Sequence, residues 1–324
     1  MKKKMTYMEA IREAMCNRMR KDPTVALFGE DVGPFGGSFG ISLGMWEEFG
    51  DLRVRDTPIS EGAIVGCAVG SAATGCRPIC EIMFMDFVTV AMDQLVNQAA
   101  KLRYMVGGKM SMPLVCRIST GTGVNAAAQH SQSLEAWLTH VPGLKVVYPT
   151  TPQDAYGLLL SAIDDDNPVI YLENRTLFGL TGEVDLDAEP TPLGKGAVRR
   201  EGKDVTIVGV GAMVQQALEA ADQLEKDGIS AEVIDLRSLF PLDTDLLRES
   251  LGKTHRIVLA SQENKRGSYI GDIAAMIGEE MFDLLDAPVI RVANLDTPTP
   301  YSPSLEPYVL PCPDDIVAAV KSQL

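Results

Sequence analysis

The chain has 324 residues, with 29 Lys and Arg against 44 Asp and Glu, a formal net charge of −15. Such an acid excess excludes nucleic acid and anionic membranes as partners, because both are bound through basic surfaces. Hydrophobic residues at 46% and charged residues at 23% exclude a mainly disordered chain, and at about 150 residues per domain the length suits two domains with separate cores.

In chain order, Met1-Lys2-Lys3-Lys4-Met5 is basic, but no apolar run follows, so no signal peptide is expected. Thr6-Tyr7-Met8-Glu9 has capping-box spacing and opens an amphipathic helix. Residues 25–28, 78–84, 114–118, 145–148 and 169–172 read as strands. Between them lie helical patterns, clearest over 87–104, where apolar residues at 88, 91, 92, 95, 99 and 102 share one face. Gly107-Gly108 stops that pattern. Thr151-Pro152 opens another helix with a Thr cap and Pro at the first helical position. The longest uncharged helical stretch, 62–76, is too short and too rich in glycine to span a bilayer.

Residues 181–203 lack a period and carry Pro190 and Pro192, so they read as a linker between a first domain, 1–180, and a second, 204–324. The second domain restarts the pattern, with strands at 205–210, 231–235, 256–260 and 289–292, a helix over 212–226 and a closing helix over 314–321. Strands alternating with helices predict an α/β fold with a parallel sheet in each domain. Cys16, Cys67, Cys76, Cys80, Cys116 and Cys312 form no C-x-x-C pair and read as buried free thiols in a reducing cytoplasm.

Several features invite chemistry. Gly209-Val210-Gly211 follows a strand, opens a helix and precedes Asp235, as in a dinucleotide fingerprint, but Val214 stands where the third glycine belongs. Gly62, Gly66 and Gly70 lie four apart and mark a close backbone approach, within the domain or between subunits. Glu61, in the first turn of that helix, serves either as a dipole-complementing cap or as a working carboxylate. His255 and His140 read as a solvated and a turn histidine. His130 ends an uncharged, small-residue loop, a placement suited to proton transfer. No G-x-S-x-G or H-E-x-x-H pattern occurs, and Asp164-Asp165-Asp166-Asn167 reads as an acidic turn.

Taken together, Phe28-Gly29-Glu30-Asp31-Val32, Asp56-Thr57-Pro58-Ile59-Ser60-Glu61, Glu81-Ile82-Met83-Phe84-Met85-Asp86-Phe87 and Asp93-Gln94-Leu95-Val96-Asn97-Gln98-Ala99-Ala100-Lys101 resemble one family in order and spacing. Ala128-Gln129-His130-Ser131-Gln132-Ser133-Leu134-Glu135 and Val233-Ile234-Asp235-Leu236-Arg237 continue the match over nearly the whole chain. The family is the beta subunit of the thiamine-diphosphate-dependent 2-oxo acid dehydrogenase component, with pyruvate, branched-chain and acetoin members.

The resemblance implies a transketolase-like pyrimidine-binding domain followed by a transketolase C-terminal domain. It implies that Glu61 hydrogen-bonds a ring nitrogen of the cofactor's aminopyrimidine, favouring the imino tautomer and so creating a base beside a very weak carbon acid. Met83 and Phe87 match positions that wall the aminopyrimidine. His130 matches the histidine that handles intermediates and acyl transfer to lipoamide. Leu114, Ala162, Ile163, Asp165 and Asn167 match positions that hold a structural potassium ion, mostly through backbone oxygens. The chain has no G-D-G motif and no Asn-Asn, the pattern by which such enzymes hold diphosphate and magnesium. The resemblance therefore implies an alpha subunit supplying that half, in a heterotetramer of two alpha and two beta chains. It also implies docking to the peripheral subunit-binding domain of a lipoyl acyltransferase core, whose basic character suits an acidic partner. Parts of the chain, Thr297-Pro298-Thr299-Pro300-Tyr301-Ser302-Pro303 among them, are similar to acetoin-type members, while Ser119-Thr120-Gly121-Thr122-Gly123-Val124-Asn125 departs from the common loop form, leaving the substrate open. The alternatives are a non-catalytic docking scaffold of the same complex and a nicotinamide-dependent oxidoreductase.

Overall fold

Strands that are apolar on both faces need cover on both faces. The computed structural model, which describes residues 1–324, supplies it in each of two units. One comprises Met1–Thr120 and Leu138–Leu193, the other Gly121–Trp137 and Gly194–Leu324.

The first unit contains β1 (Lys2–Thr6), α1 (Tyr7–Lys21), β2 (Val25–Glu30), β3 (Val54–Thr57), α2 (Glu61–Ala73), β4 (Arg77–Ile82) and α3 (Val88–Asp93). It continues with β5 (Val115–Thr120), β6 (Lys145–Val147), α4 (Pro152–Asp164), β7 (Val169–Asn174) and β8 (Thr181–Asp185). Its central strands run in the order β6-β7-β5-β4-β2-β3, all parallel. Every residue of β5 and β7 is buried, which is why their apolar residues fall on both faces instead of alternating with polar ones. Helix α1 begins with the expected capping box, Thr6 N donating to Glu9 Oε2 at 2.7 Å and Glu9 N to Thr6 Oγ1 at 3.2 Å. Helix α4 begins as expected with a Thr151 cap that accepts from Asp154 N at 3.1 Å.

Four expectations are corrected. The single helix over 87–104 is broken: a 3-10 turn (Met85–Phe87) leads into α3, a π-helical stretch (Gln94–Ala99) follows, and a short helix closes at Leu102–Met105. Ala100 N donates to Leu95 O at 3.0 Å, five residues back, and the buried Val88, Ala91, Leu95 and Ala99 keep their common face through it. A three-and-four spacing does not distinguish this widened turn from an α-helix. The aperiodic 181–203 is not free linker: β8 pairs antiparallel with β1, and Ala197–Arg200 is a strand of the second unit. Edge strands carry little apolar signal, and β8 buries only Val184. The first unit is also not continuous, since 121–137 cluster with the second. All six cysteines are free, but Cys67 and Cys312 are exposed and Cys76 is half-buried, leaving Cys16, Cys80 and Cys116 in the core.

The second unit contains β9 (Ala197–Arg200), β10 (Val205–Gly209), α5 (Met213–Lys226), β11 (Ala231–Asp235), β12 (Ser238–Phe240), α6 (Thr244–Thr254), β13 (Ile257–Asn264), α7 (Tyr269–Glu280), β14 (Ile290–Asn294) and α8 (Pro313–Lys321). Its five-stranded sheet runs β14-β13-β10-β11-β9, parallel except for the antiparallel edge β9. Val205, Ile207, Val233 and Val258 pack there with Ala217, Ala221 and Leu224 of α5 and with Ile316 and Val320 of α8. No helix is long and apolar enough to cross a membrane.

Candidate active site

Parallel strands deliver side chains at their carboxyl ends, and Glu61 stands just past such an end. β3 closes at Thr57, paired in register with Glu30 of β2, and Pro58-Ile59-Ser60 turns the chain into α2. The Glu61 side chain lies in the first turn of α2 and is 8% exposed, where the helix dipole favours its negative charge. Ser60 makes no side-chain cap bond. Thr57 Oγ1 is buried without a hydrogen-bond partner, and an orphaned buried hydroxyl four residues before a buried carboxylate fits a ligand that brings polar atoms. Burial, and then the like charges of Asp31, Glu61 and Glu81, hold the Glu30 carboxyl above its ordinary value.

A Cβ built on Gly62 would stand 3.4 Å from Val90 O, and one on Gly66 3.4 Å from the Gln94 side chain, whereas Gly70 faces open space. Two of the three glycines thus admit α3 and its π-helical continuation against α2, which brings Phe87, the residue before α3, towards the Glu61 end. Met83 and Phe87 are half-buried. Phe87 meets Phe84 edge-on at 6.0 Å, Phe84 meets Phe39 at 5.7 Å, and Phe39 meets Phe178 at 5.3 Å. The Arg175 guanidinium lies 5.0 Å from the Phe84 ring centre. This chain of rings holds the Phe87 edge as a wall rather than a loose side chain.

The central sheet of the same unit holds a cluster that sequence reasoning missed. Arg117, in the middle of β5, is fully buried. It donates to Glu173 Oε1 at 2.6 Å and Oε2 at 2.9 Å on β7, and to Glu81 Oε2 at 2.7 Å on β4. Burial alone would push the guanidinium down, but Glu173 and Glu81 outweigh it and keep it charged. A signal existed: an arginine inside an apolar parallel strand must be buried, and a buried charge must be paired.

His130 belongs to the second unit. It is half-buried on a segment whose backbone takes positive φ at every other residue, +94° at Gly121, +95° at Gly123, +56° at Asn125 and +65° at Ala127. For the two non-glycines this costs roughly 1–2 kcal/mol each. A cavity of ≈ 540 Å³ opens beside the segment, lined among others by Ser131, Ser133, Gln262, Arg266 and Asn294. Ser131 Oγ and Asn294 Oδ1 are buried there without partners. Glu263, also missed from the sequence, is 3% exposed; burial pushes its carboxyl up to about 7 against hydrogen bonds that work the other way.

The five positions matched to a potassium site lie together. Ala162 and Ile163 fall in the last turn of α4, where backbone oxygens lack helical donors and the dipole favours a cation. Ile163 O and Asp165 O converge on Arg77 Nη1 at 3.0 and 3.1 Å, Leu114 O accepts from Val169 N at 2.8 Å, and Asn167 Nδ2 donates to Asp165 Oδ1 at 2.9 Å. Burial would raise the Asp165 carboxyl, but hydrogen bonds from Lys145 and Asn167 hold it below its ordinary value. Two of these backbone oxygens, Ile163 O and Asp165 O, are thus already taken up by the Arg77 guanidinium, and Leu114 O is bonded within the sheet. No cluster of three or more His, Cys, Asp or Glu side chains is placed to hold a metal.

The dinucleotide pattern has a packing explanation. A Cβ on Gly209 would lie 2.7 Å from the Val214 backbone, so the glycine admits the close turn from β10 into α5. Asp235, its would-be ribose ligand, is fully buried and accepts from Arg199 Nη2 at 2.6 Å.

Comparison with known proteins agrees with this architecture. The transketolase pyrimidine-binding domain family matches residues 3–180 and the transketolase C-terminal domain family residues 194–316. A solved split-gene transketolase, described as an inactive beta4 tetramer, superposes with a TM-score of 0.80 at 25% identity, covering 99% of this chain and 98% of that one. The beta subunit of acetoin:2,6-dichlorophenolindophenol oxidoreductase from Bacillus subtilis is 49% identical over 96% of this chain and 94% of its own length. The 2-oxoisovalerate dehydrogenase beta subunit of the same organism is 44% identical, covering 98% of each chain. The mitochondrial pyruvate dehydrogenase E1 beta subunit of Caenorhabditis elegans is 46% identical over 99% of this chain and 92% of its own. With two transketolase-type domains in sequence and identities of this size over nearly its full length, the chain belongs to the transketolase-like family of E1 beta subunits of pyruvate, 2-oxoisovalerate and acetoin dehydrogenases.

Proposed function

We propose that this chain is the beta subunit of a thiamine-diphosphate-dependent dehydrogenase that, with an alpha subunit, breaks a bond beside a carbonyl and passes the acyl group to lipoamide. The observation that carries this is Glu61: a carboxylate 8% exposed at a helix start, with an orphaned hydroxyl four residues before it and the Phe87 ring edge just ahead of the helix packed against α2.

Thiamine diphosphate, when bound, supplies a nucleophilic carbon and a sink for the electron pair released as the substrate bond breaks. Glu61 accepts a hydrogen bond from a ring nitrogen of the aminopyrimidine and so fixes which tautomer is held. Met83 and Phe87 orient that ring and keep water from it. His130 moves a proton during acyl transfer, as its half-buried position on the segment suits. Ile59, 76% exposed two residues before Glu61, and Val90, 60% exposed at the start of α3, are bare apolar side chains of the kind an alpha subunit would cover. The alpha subunit, in a tetramer of two alpha and two beta chains, would hold the diphosphate and its magnesium.

Potassium is assigned to the turn after α4, held by backbone oxygens of Leu114, Ala162, Ile163, Asp165 and Asn167, with a structural role only. The C-terminal unit docks the basic subunit-binding domain of a lipoyl acyltransferase core, which a net charge of −15 favours. Six free thiols suit a reducing cytoplasm.

Cofactor titration tests the proposal. The isolated chain is expected to bind thiamine diphosphate weakly, and tight binding is expected once an alpha subunit is added. Tight binding by this chain alone would sink the shared-site account. A panel of pyruvate, branched-chain 2-oxo acids and acetoin on the reconstituted pair, read with an artificial electron acceptor, identifies the substrate. Silence on every member would favour the docking scaffold.

A further inference from the structure

The His130 segment is tied down from both ends by buried carboxylates of the second unit. At its start, Gly123 N donates to Glu306 Oε1 at 2.9 Å and Asn125 N to Glu306 Oε2 at 2.9 Å. Glu306 is 2% exposed and stands on a 3-10 turn (Glu306–Tyr308) whose first amide donates to Ser302 O at 2.9 Å. At its end, Ala136 N donates to Glu263 Oε1 at 2.9 Å, while Tyr269 N donates to Glu263 Oε2 at 2.7 Å. Glu263 thereby links the segment to the start of α7.

The alternation of positive φ from Gly121 to Ala127 gathers backbone N–H groups on one side and makes a concave anion-binding nest. The Glu306 carboxylate fills it with two charge-assisted hydrogen bonds, the stronger kind. The segment's own hydroxyls on Thr122, Ser131 and Ser133 are buried without partners and add nothing to the tether. A conformation costly at Asn125 and Ala127 persists only where its surroundings over-determine it.

We infer that Glu306, assisted by Glu263, is a positioning residue for the reaction: its carboxylate locks the nest and thereby sets where His130 stands during acyl transfer. The inference rests on the role of His130 proposed above. Glu306 touches no reacting atom; it acts through the backbone five to seven residues before the imidazole.

The test uses the full chain reconstituted with an alpha subunit and whichever of pyruvate, 2-oxoisovalerate or acetoin the unaltered pair turns over. Glu306→Gln keeps the shape but faces one backbone N–H with an amide donor. Expected are amide exchange in 121–130 faster by about tenfold with β10 and β13 amides unchanged, and a kcat for lipoamide acylation lower by about tenfold with KM for the first substrate nearly constant. Glu306→Asp, which keeps the charge, should recover part of both. Combined with His130→Ala, Glu306→Gln should add little, because the two act as one unit. Unchanged exchange in 121–130, or a loss of turnover that adds in full to that of His130→Ala, overturns the inference. His130→Ala with full turnover would instead overturn the reading of His130, and the exchange rates would then judge the tether by itself.

Discussion

Glu61 and His130 are presented in different ways. Glu61 opens a 13-residue helix that follows directly from a strand of a parallel sheet, so its position is set by the same backbone hydrogen bonds that hold the first unit together. His130 rides on a segment with no strand, bent by alternating positive φ and held by side-chain carboxylates that reach it from far along the chain, Glu306 from 183 residues beyond Gly123. Moving Glu61 would mean disturbing the sheet-and-helix backbone, whereas the His130 segment is tethered by side-chain carboxylates. The first arrangement gives a fixed carboxylate, as the proposed tautomer role of Glu61 requires. The second places His130, the proposed proton-handling group, on a segment held by side chains rather than by a sheet.

Substitutions can break that comparison, beginning with the largest effect. Glu61→Gln removes the charge and keeps the shape, so turnover of the reconstituted enzyme should fall by at least about a thousandfold, with a melting temperature close to that of the parent. Substantial residual activity would refute the tautomer role. Arg117→Ala leaves Glu81 and Glu173 buried without their shared partner and should cost about 3–5 kcal/mol of stability in urea unfolding. A loss below about 1 kcal/mol would mean that water reaches the cluster.

His130→Ala should lower lipoamide acylation by about a hundredfold while leaving thermal unfolding nearly unmoved; a large drop in melting temperature would show the imidazole to be structural. The two arrangements can also be separated by pH. Burial holds Glu263 at about 7, above the 4.5 of an exposed glutamate, so the fold prefers its protonated form. Its contribution to stability is complete below about pH 4.5 and is lost as pH rises through about 7. The neighbouring Tyr269 phenol is pushed up by burial and away from this window. Relative to the parent chain, Glu263→Gln should therefore gain stability between those limits; parallel pH profiles would contradict it. The smallest effect belongs to the first unit. Potassium at the end of α4 should raise the melting temperature by about 2–4 °C over equal sodium, and equal values would remove the ion from that turn.

The first unit was the more legible of the two. The start of α2 at Glu61, the glycines that admit its neighbour and the Thr6 and Thr151 caps follow from local backbone chemistry, and each stands where its residues predict. The helix expected over 87–104 shows the limit of that method: its apolar face survived, but the π-helical turn inside it left no mark in the spacing. Arg117 was visible as an oddity in an apolar strand, yet its partners lie 36 and 56 residues away.

By itself the sequence determined the alternation of strands and helices, the two parallel-sheet units and the presence of a carboxylate at a helix start. These depend on periodicity, caps and turn residues, which act within a few positions. Only the tertiary structure decided that β1 closes on β8 across the first unit, that 121–137 pack with the second unit, and that Glu263 and Glu306 hold the segment carrying His130. Such contacts join a carboxylate to a backbone amide with no preference for the side chain that amide belongs to. They therefore leave no pattern along the chain and exist only once distant segments have met.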